Sequence, residues 1–137
     1  MNARRFARIV IVEDEALVAM LIEDSLEAAG HQVLGTADTI AGAVTLVDQA
    51  RPDLVLCDIT LLNGDSGLDV AAVMAERDIP CLFVSGNSPP VEQVRGIAIG
   101  CMLKPFRPAK LEEAVQAALD ITQGRQPDIV PTGMILY

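Results

Sequence analysis

The chain has 137 residues, and its nineteen acids against ten lysines and arginines give a net charge of -9. A chain of this length makes one ordinary domain that buries roughly 68–70% of its unfolded surface, so its core needs neither a disulfide nor a metal to fold. The acidic excess excludes non-specific attraction to nucleic acid or to an anionic membrane surface and leaves proteins or small phosphate donors as partners.

Met1 to Arg8 carries positive charge, but the apolar run behind it ends at Glu13, too short for a signal peptide. No run approaches membrane-spanning length, and the cytoplasm is the expected location. The first apolar run, Ile9 to Val12, reads as a buried strand. Glu15 to Ala29 reads as a helix whose stripe is Val18, Leu21, Ile22, Ser25, Leu26 and Ala29, stopped by Gly30. His31, at the junction that follows, reads as a solvated loop residue with no role. A second strand is expected at Val33 to Thr36. A second helix spans Thr39 to Ala50 with Val44, Leu46 and Val47 buried, and ends at Arg51-Pro52 because the residue before proline leaves helical geometry.

Leu54 to Cys57 is the third strand and Leu68 to Ala75 a short, alanine-rich helix. After the strand at Cys81 to Val84, Pro89-Pro90 opens a fourth helix through Val91 to Ile97 that Gly96 and Gly100 weaken, so it should be short or irregular. Cys101 to Leu103 is the fifth strand, and Pro108 to Thr122 the last helix, with Leu111, Val115, Ala118 and Thr122 on one face and Gly124 closing it. Residues 1–124 thus form the domain. The remainder, 125–137, is a tail rather than a second domain; it is apolar enough to dock, either back on its own domain or on a partner.

Short buried strands alternating with helices imply an α/β fold with a doubly wound parallel sheet of five strands, whose ligands sit beyond the carboxyl ends of the strands. Cys57, Cys81 and Cys101 are odd in number, lack Cys-x-x-Cys spacing and lie in or beside apolar runs. They read as core filler in a reducing compartment, and a zinc site is excluded.

The chemistry gathers at those strand ends. Glu13 and Asp14 follow the first strand and Asp58 the third, so neighbouring strands bring three carboxylates together. Two carboxylates ~4 Å apart repel by about 4 kcal/mol at an effective dielectric of 20, and a divalent cation relieves that. Ser85 and Lys104 end later strands and add a hydroxyl and an ammonium to the same edge. Acids, a cation, a hydroxyl and a lysine suit a phosphoryl group, whose transfer demands mainly positioning and charge neutralisation. Each residue also has a plainer account: Glu13 and Asp14 as first-turn helix acids, Ser85 as a turn residue with Gly86-Asn87, Lys104 as a surface lysine.

Val12-Glu13-Asp14-Glu15, Asp58 after its strand, Ser85-Gly86 after another, and Lys104-Pro105-Phe106 together resemble the receiver domain of two-component response regulators, over residues 7 to 123. The resemblance implies the strand order 2-1-3-4-5 and a phosphoacceptor at Asp58, which would take phosphate from a phosphohistidine on a sensor histidine kinase or histidine phosphotransfer protein. It implies Mg2+ held by Asp14, Asp58 and the Thr60 carbonyl, with Glu13 acting through water. Lys104 and the Ser85 hydroxyl would each meet a phosphoryl oxygen, and a cis Lys104–Pro105 bond would aim the lysine inward. Such a domain is a signalling module and not an enzyme; as a single domain it would serve as phosphate shuttle, sink or phosphorylation-switched binding module.

Departures from the family's pattern are equally local. Asp58-Ile59-Thr60-Leu61-Leu62-Asn63 lacks the usual Met-Pro, and Cys101 stands where the family carries a switching aromatic. Leu82-Phe83-Val84-Ser85-Gly86-Asn87 is similar to the Phe-Ala-Thr-Gly motif of an atypical alphaproteobacterial receiver subgroup, which points to Ser85 and residues 86 to 100 as the relay. Two other readings stay open: a binding module whose site no longer reacts, and a phosphohydrolase with an aspartyl nucleophile, against which Thr60 occupies the place of the second acid such enzymes need.

Overall fold

A computed structural model describes residues 3–137. The five apolar runs form β1 (Arg8–Val12), β2 (Gln32–Ala37), β3 (Leu54–Cys57), β4 (Cys81–Ser85) and β5 (Gly100–Leu103). The helices are α1 (Ala16–Ala28), α2 (Ile40–Ala50), α3 (Gly67–Glu76), α4 (Val91–Val94) and α5 (Pro108–Thr122). The sheet runs β2-β1-β3-β4-β5 in parallel, and the order implied by the resemblance holds. The count of five is corrected to six, because β6 (Met134–Leu136) joins the outer edge of β5 antiparallel.

Sheet burial on both faces explains why the strands read as unbroken apolar runs. Ile9, Ile11, Leu54, Leu56, Leu82 and Val84 face one layer, with Ile22 and Leu26 of α1 and Leu111 and Val115 of α5. Val10, Val12, Val55, Cys57, Cys81 and Phe83 alternate to the other, against Val47 of α2 and Val70 and Met74 of α3. All three cysteines are buried and unpaired, the core filler their setting implied.

Helix ends follow local chemistry. The Thr39 side chain caps α2 by accepting from the Gly42 N–H at 3.1 Å, and Pro108 opens α5. The fourth helix is a single turn: Arg95 leaves helical geometry and bridges to Ala98, which carries the chain straight into β5. Two sequence expectations are corrected. Leu21 of α1 is 51% exposed and the buried stripe runs through Ala19, Ile22 and Leu26 instead. His31 is not a solvated loop residue. Its ring is buried, with Nδ1 accepting from the Ala7 N–H at 3.0 Å and Nε2 2.6 Å from Glu112 Oε1, so it ties the start of β2 to α5.

Of the two docking sites left open for the tail, the chain's own domain is the one it takes. A Cβ on Gly100 would lie 2.3 Å from the Ile135 carbonyl oxygen, so the bare backbone at that position is what lets β6 approach. Gly100→Ala is therefore expected to peel β6 off the sheet. Hydrogen exchange would speed up at the amides of Leu103 and Tyr137, which bond to Gly133 and Ile99, while β1 and β3 stay protected. Unchanged protection at Tyr137 would contradict this.

Candidate functional site

Register brings the site together. Val12 is paired with Cys57 and Cys57 with Phe83, while Ser85 is paired with Leu103, so the residues after each strand emerge side by side at one edge. The ladder continues past the strands and fixes their exit directions: Glu13 N–H donates to the Ala37 carbonyl at 2.9 Å, Asp58 N–H to Val12 at 2.8 Å and Lys104 N–H to Ser85 at 2.8 Å.

One carboxylate oxygen from each of Glu13, Asp14 and Asp58 lies within 4.8 Å of the others, a grouping of hard oxygen donors suited to a small divalent cation. Glu13 and Asp58 are buried and Asp14 is half-exposed, which leaves a side open for water. The Lys104 ammonium sits between two of these acids, 2.7 Å from Glu13 Oε1 and 3.2 Å from Asp58 Oδ2. Asp58 Oδ1 accepts from the N–H groups of Ile59 at 2.7 Å and Thr60 at 3.4 Å, which locks the carboxylate plane. The Lys104–Pro105 peptide is cis.

The fold therefore brings Glu13, Asp14, Asp58 and Lys104 into one cluster. Thr60 is joined to it through Asp58, and Ser85 is buried at the neighbouring strand end. Two features escaped sequence reasoning. Glu13 pairs directly with Lys104, which no spacing rule could reveal across ninety-one residues. Gly67, the first residue of α3, packs so closely that a Cβ would lie 2.1 Å from the Asp58 carbonyl oxygen. A glycine opening a helix directly after the Ser66 cap was the one available signal.

Electrostatics follow from that crowding. Burial, reinforced by the nearby Asp58 and opposed by the Lys104 hydrogen bond, pushes Glu13 up to about 7. Burial also works against the charge on Lys104, but the Glu13 and Asp58 carboxylates outweigh it and raise its pKa. The folded chain holds a proton on Glu13 more tightly than the unfolded chain does. That contribution to stability is fully present below pH 4.5 and is lost as pH rises through about 7. Thermal melts of the Mg2+-free chain are expected to show a fall across this window that Glu13→Gln flattens. A fall of equal size in the variant would contradict the assignment.

Comparison with known proteins shows the family to which this fold belongs. Residues 9–116 match the response regulator receiver domain family. The chain is 36% identical over 118 residues to the phyllosphere-induced regulator PhyR of Methylorubrum extorquens, which covers 84% of this chain and 44% of that protein. The crystal structure of the response regulator PhyR from Brucella abortus superposes with a TM-score of 0.73 at 30% identity, covering 88% of this chain and 51% of that one. The solution structure of the Erythrobacter litoralis PhyR receiver domain gives a TM-score of 0.68 at 29% identity, covering 90% and 95%. The chain thus spans about half the length of the curated relatives it matches.

Proposed function

The chain belongs to the response regulator receiver family, and on that premise we propose that it takes a phosphoryl group onto Asp58 from a histidine kinase or histidine phosphotransfer protein. Phosphorylation and Mg2+ are general features of the family. The observation that carries the reading for this chain is the convergence of the Glu13, Asp14 and Asp58 carboxylates with Lys104 at 3.2 Å from Asp58.

Asp14, Asp58 and the Thr60 carbonyl would hold Mg2+, with Glu13 in its outer sphere. The ion would supply the positive charge that lets one anion approach another. The chain's own groups supply the rest. A carboxylate oxygen of Asp58 forms the new O–P bond as the N–P bond to the donor's imidazole breaks, and the imidazole leaves with that electron pair. Backbone N–H groups of Ile59 and Thr60 hold the carboxylate still during the attack. Lys104 leaves Glu13 to pair with a phosphoryl oxygen, and the Ser85 hydroxyl donates to another. Glu13, once Lys104 has left it, would face the cation through water.

Acting in the cytoplasm as a signalling module rather than a phosphohydrolase, the domain serves as shuttle, sink or phosphorylation-switched binding module. These roles share one site and differ in aspartyl-phosphate lifetime and in the next acceptor. Incubation with acetyl phosphate and Mg2+, followed by intact mass and peptide mapping, is expected to place one phosphoryl group on Asp58. An unmodified mass in the presence of a competent donor would refute the reading. Transfer of label from a phosphorylated kinase, followed over time, then separates shuttle from sink.

A further inference from the structure

Tyr137 reaches from the sheet edge to the loop behind the site. Its N–H donates to the Ile99 carbonyl at 3.0 Å, which carries the antiparallel pairing one residue beyond β6. Its ring then packs beside Phe83 of β4, with centroids 6.3 Å apart, and its hydroxyl lies 2.9 Å from Ser88 Oγ. Ser88 belongs to the loop that follows Ser85, the last residue of β4, and the Ser85 carbonyl holds the Lys104 N–H. Cys101 on β5 interacts with the Tyr137 hydroxyl, and burial pushes that phenol up to about 12. One side chain thus touches both strands whose ends deliver Ser85 and Lys104.

We propose that the β5 edge is a docking site for an extended apolar strand, filled in this structure by Met134–Leu136, and that Tyr137 links its occupancy through Ser88 to the loop bearing Ser85. Building on the function proposed above, phosphorylation of Asp58 draws the Ser85 hydroxyl and its loop toward the phosphoryl group. Ser88 Oγ then leaves the half-buried phenol, which keeps only the weakly bonding Cys101 thiol, and the lost hydrogen bond tips the segment toward water. The segment comes off, and the edge accepts an extended apolar segment of a partner protein by strand addition. The present occupant defines that partner's chemistry: a short unbroken run of apolar side chains, and a carbonyl seated against the bare backbone of Gly100. By linkage, a partner on the edge alters phosphate retention in return.

The chain has one tyrosine and no tryptophan, so tyrosine emission reports this segment alone. With the Asp58 adduct verified by mass, acrylamide quenching is expected to rise several-fold and the Tyr137 amide to exchange about tenfold faster, with Asp58→Asn unchanged. A fluorophore-tagged peptide of residues 131–137 should bind the adduct-bearing full chain and ignore the unmodified one. A verified adduct with Tyr137 still shielded, or release without peptide binding, overturns the proposal. If no adduct forms, the function proposed above falls and Ser88→Ala decides the link: faster Tyr137 exchange with peptide binding supports it, and wild-type behaviour in both overturns it.

Discussion

Asp58→Asn is expected to reduce phosphoryl-group acceptance to background, a loss of at least about 100-fold in rate, or about 2.7 kcal/mol in the barrier. The substitution keeps the shape and an oxygen for the Ile59 and Thr60 N–H groups, so the fold survives. What disappears is the anionic oxygen pair: an amide is a far weaker nucleophile toward phosphorus, and it offers a cation a poorer donor. Two readouts follow. Intact mass after acetyl phosphate and Mg2+ should show no adduct, and the rise in melting temperature expected from Mg2+ in the wild-type chain should shrink. Retained labelling at a different residue would show that the acceptor has been misassigned.

Gly67→Ala should do its damage through the backbone of the proposed acceptor, Asp58. The added Cβ would meet the Asp58 carbonyl oxygen at 2.1 Å and the Ile59 Cα at 2.7 Å, and neither is the far end of a flexible side chain. Either α3 retreats from the β3 end or the Asp58–Ile59 peptide turns. Overpacking of this kind costs about 1–3 kcal/mol, and turning the peptide also spoils the short bond between the Gly67 N–H and the Ile59 carbonyl at 2.7 Å. Melting temperature and acetyl phosphate labelling should therefore fall together. Gly86→Ala is the control: a Cβ there meets nothing within 4 Å and needs no left-handed backbone, so stability should stay within about 0.5 kcal/mol. Equal effects at the two glycines would refute the steric account.

Much of the scaffold was legible because it rests on local rules. β3 and α5 fall where the apolar run at 54–57 and the stretch from Pro108 to Thr122 place them, since a strand buried on both faces and an amphipathic helix opened by proline each announce themselves within a few residues. The cluster was legible for the same reason. Parallel strands align their carboxyl ends, so Glu13, Asp14, Asp58, Ser85 and Lys104 had to share an edge once their strands were neighbours.

Only the folded chain could decide the rest. His31 has nothing in its neighbourhood along the chain to announce Ala7 and Glu112 as partners, and the pairing of Glu13 with Lys104 depends on side-chain reach. The apolar stripe of α1 is wider than the sheet can cover, so Leu21 stays outside while Ala19 packs. Met134–Leu136 is too short to declare itself a strand, and becomes one because β5 offers a free edge and Gly100 admits a second backbone. Short-range periodicity determined the layers and which residues end the strands; register, close approach and contacts between distant residues determined the charges that pair and the place where the last residues dock. Those depend on three-dimensional proximity, which no local pattern encodes.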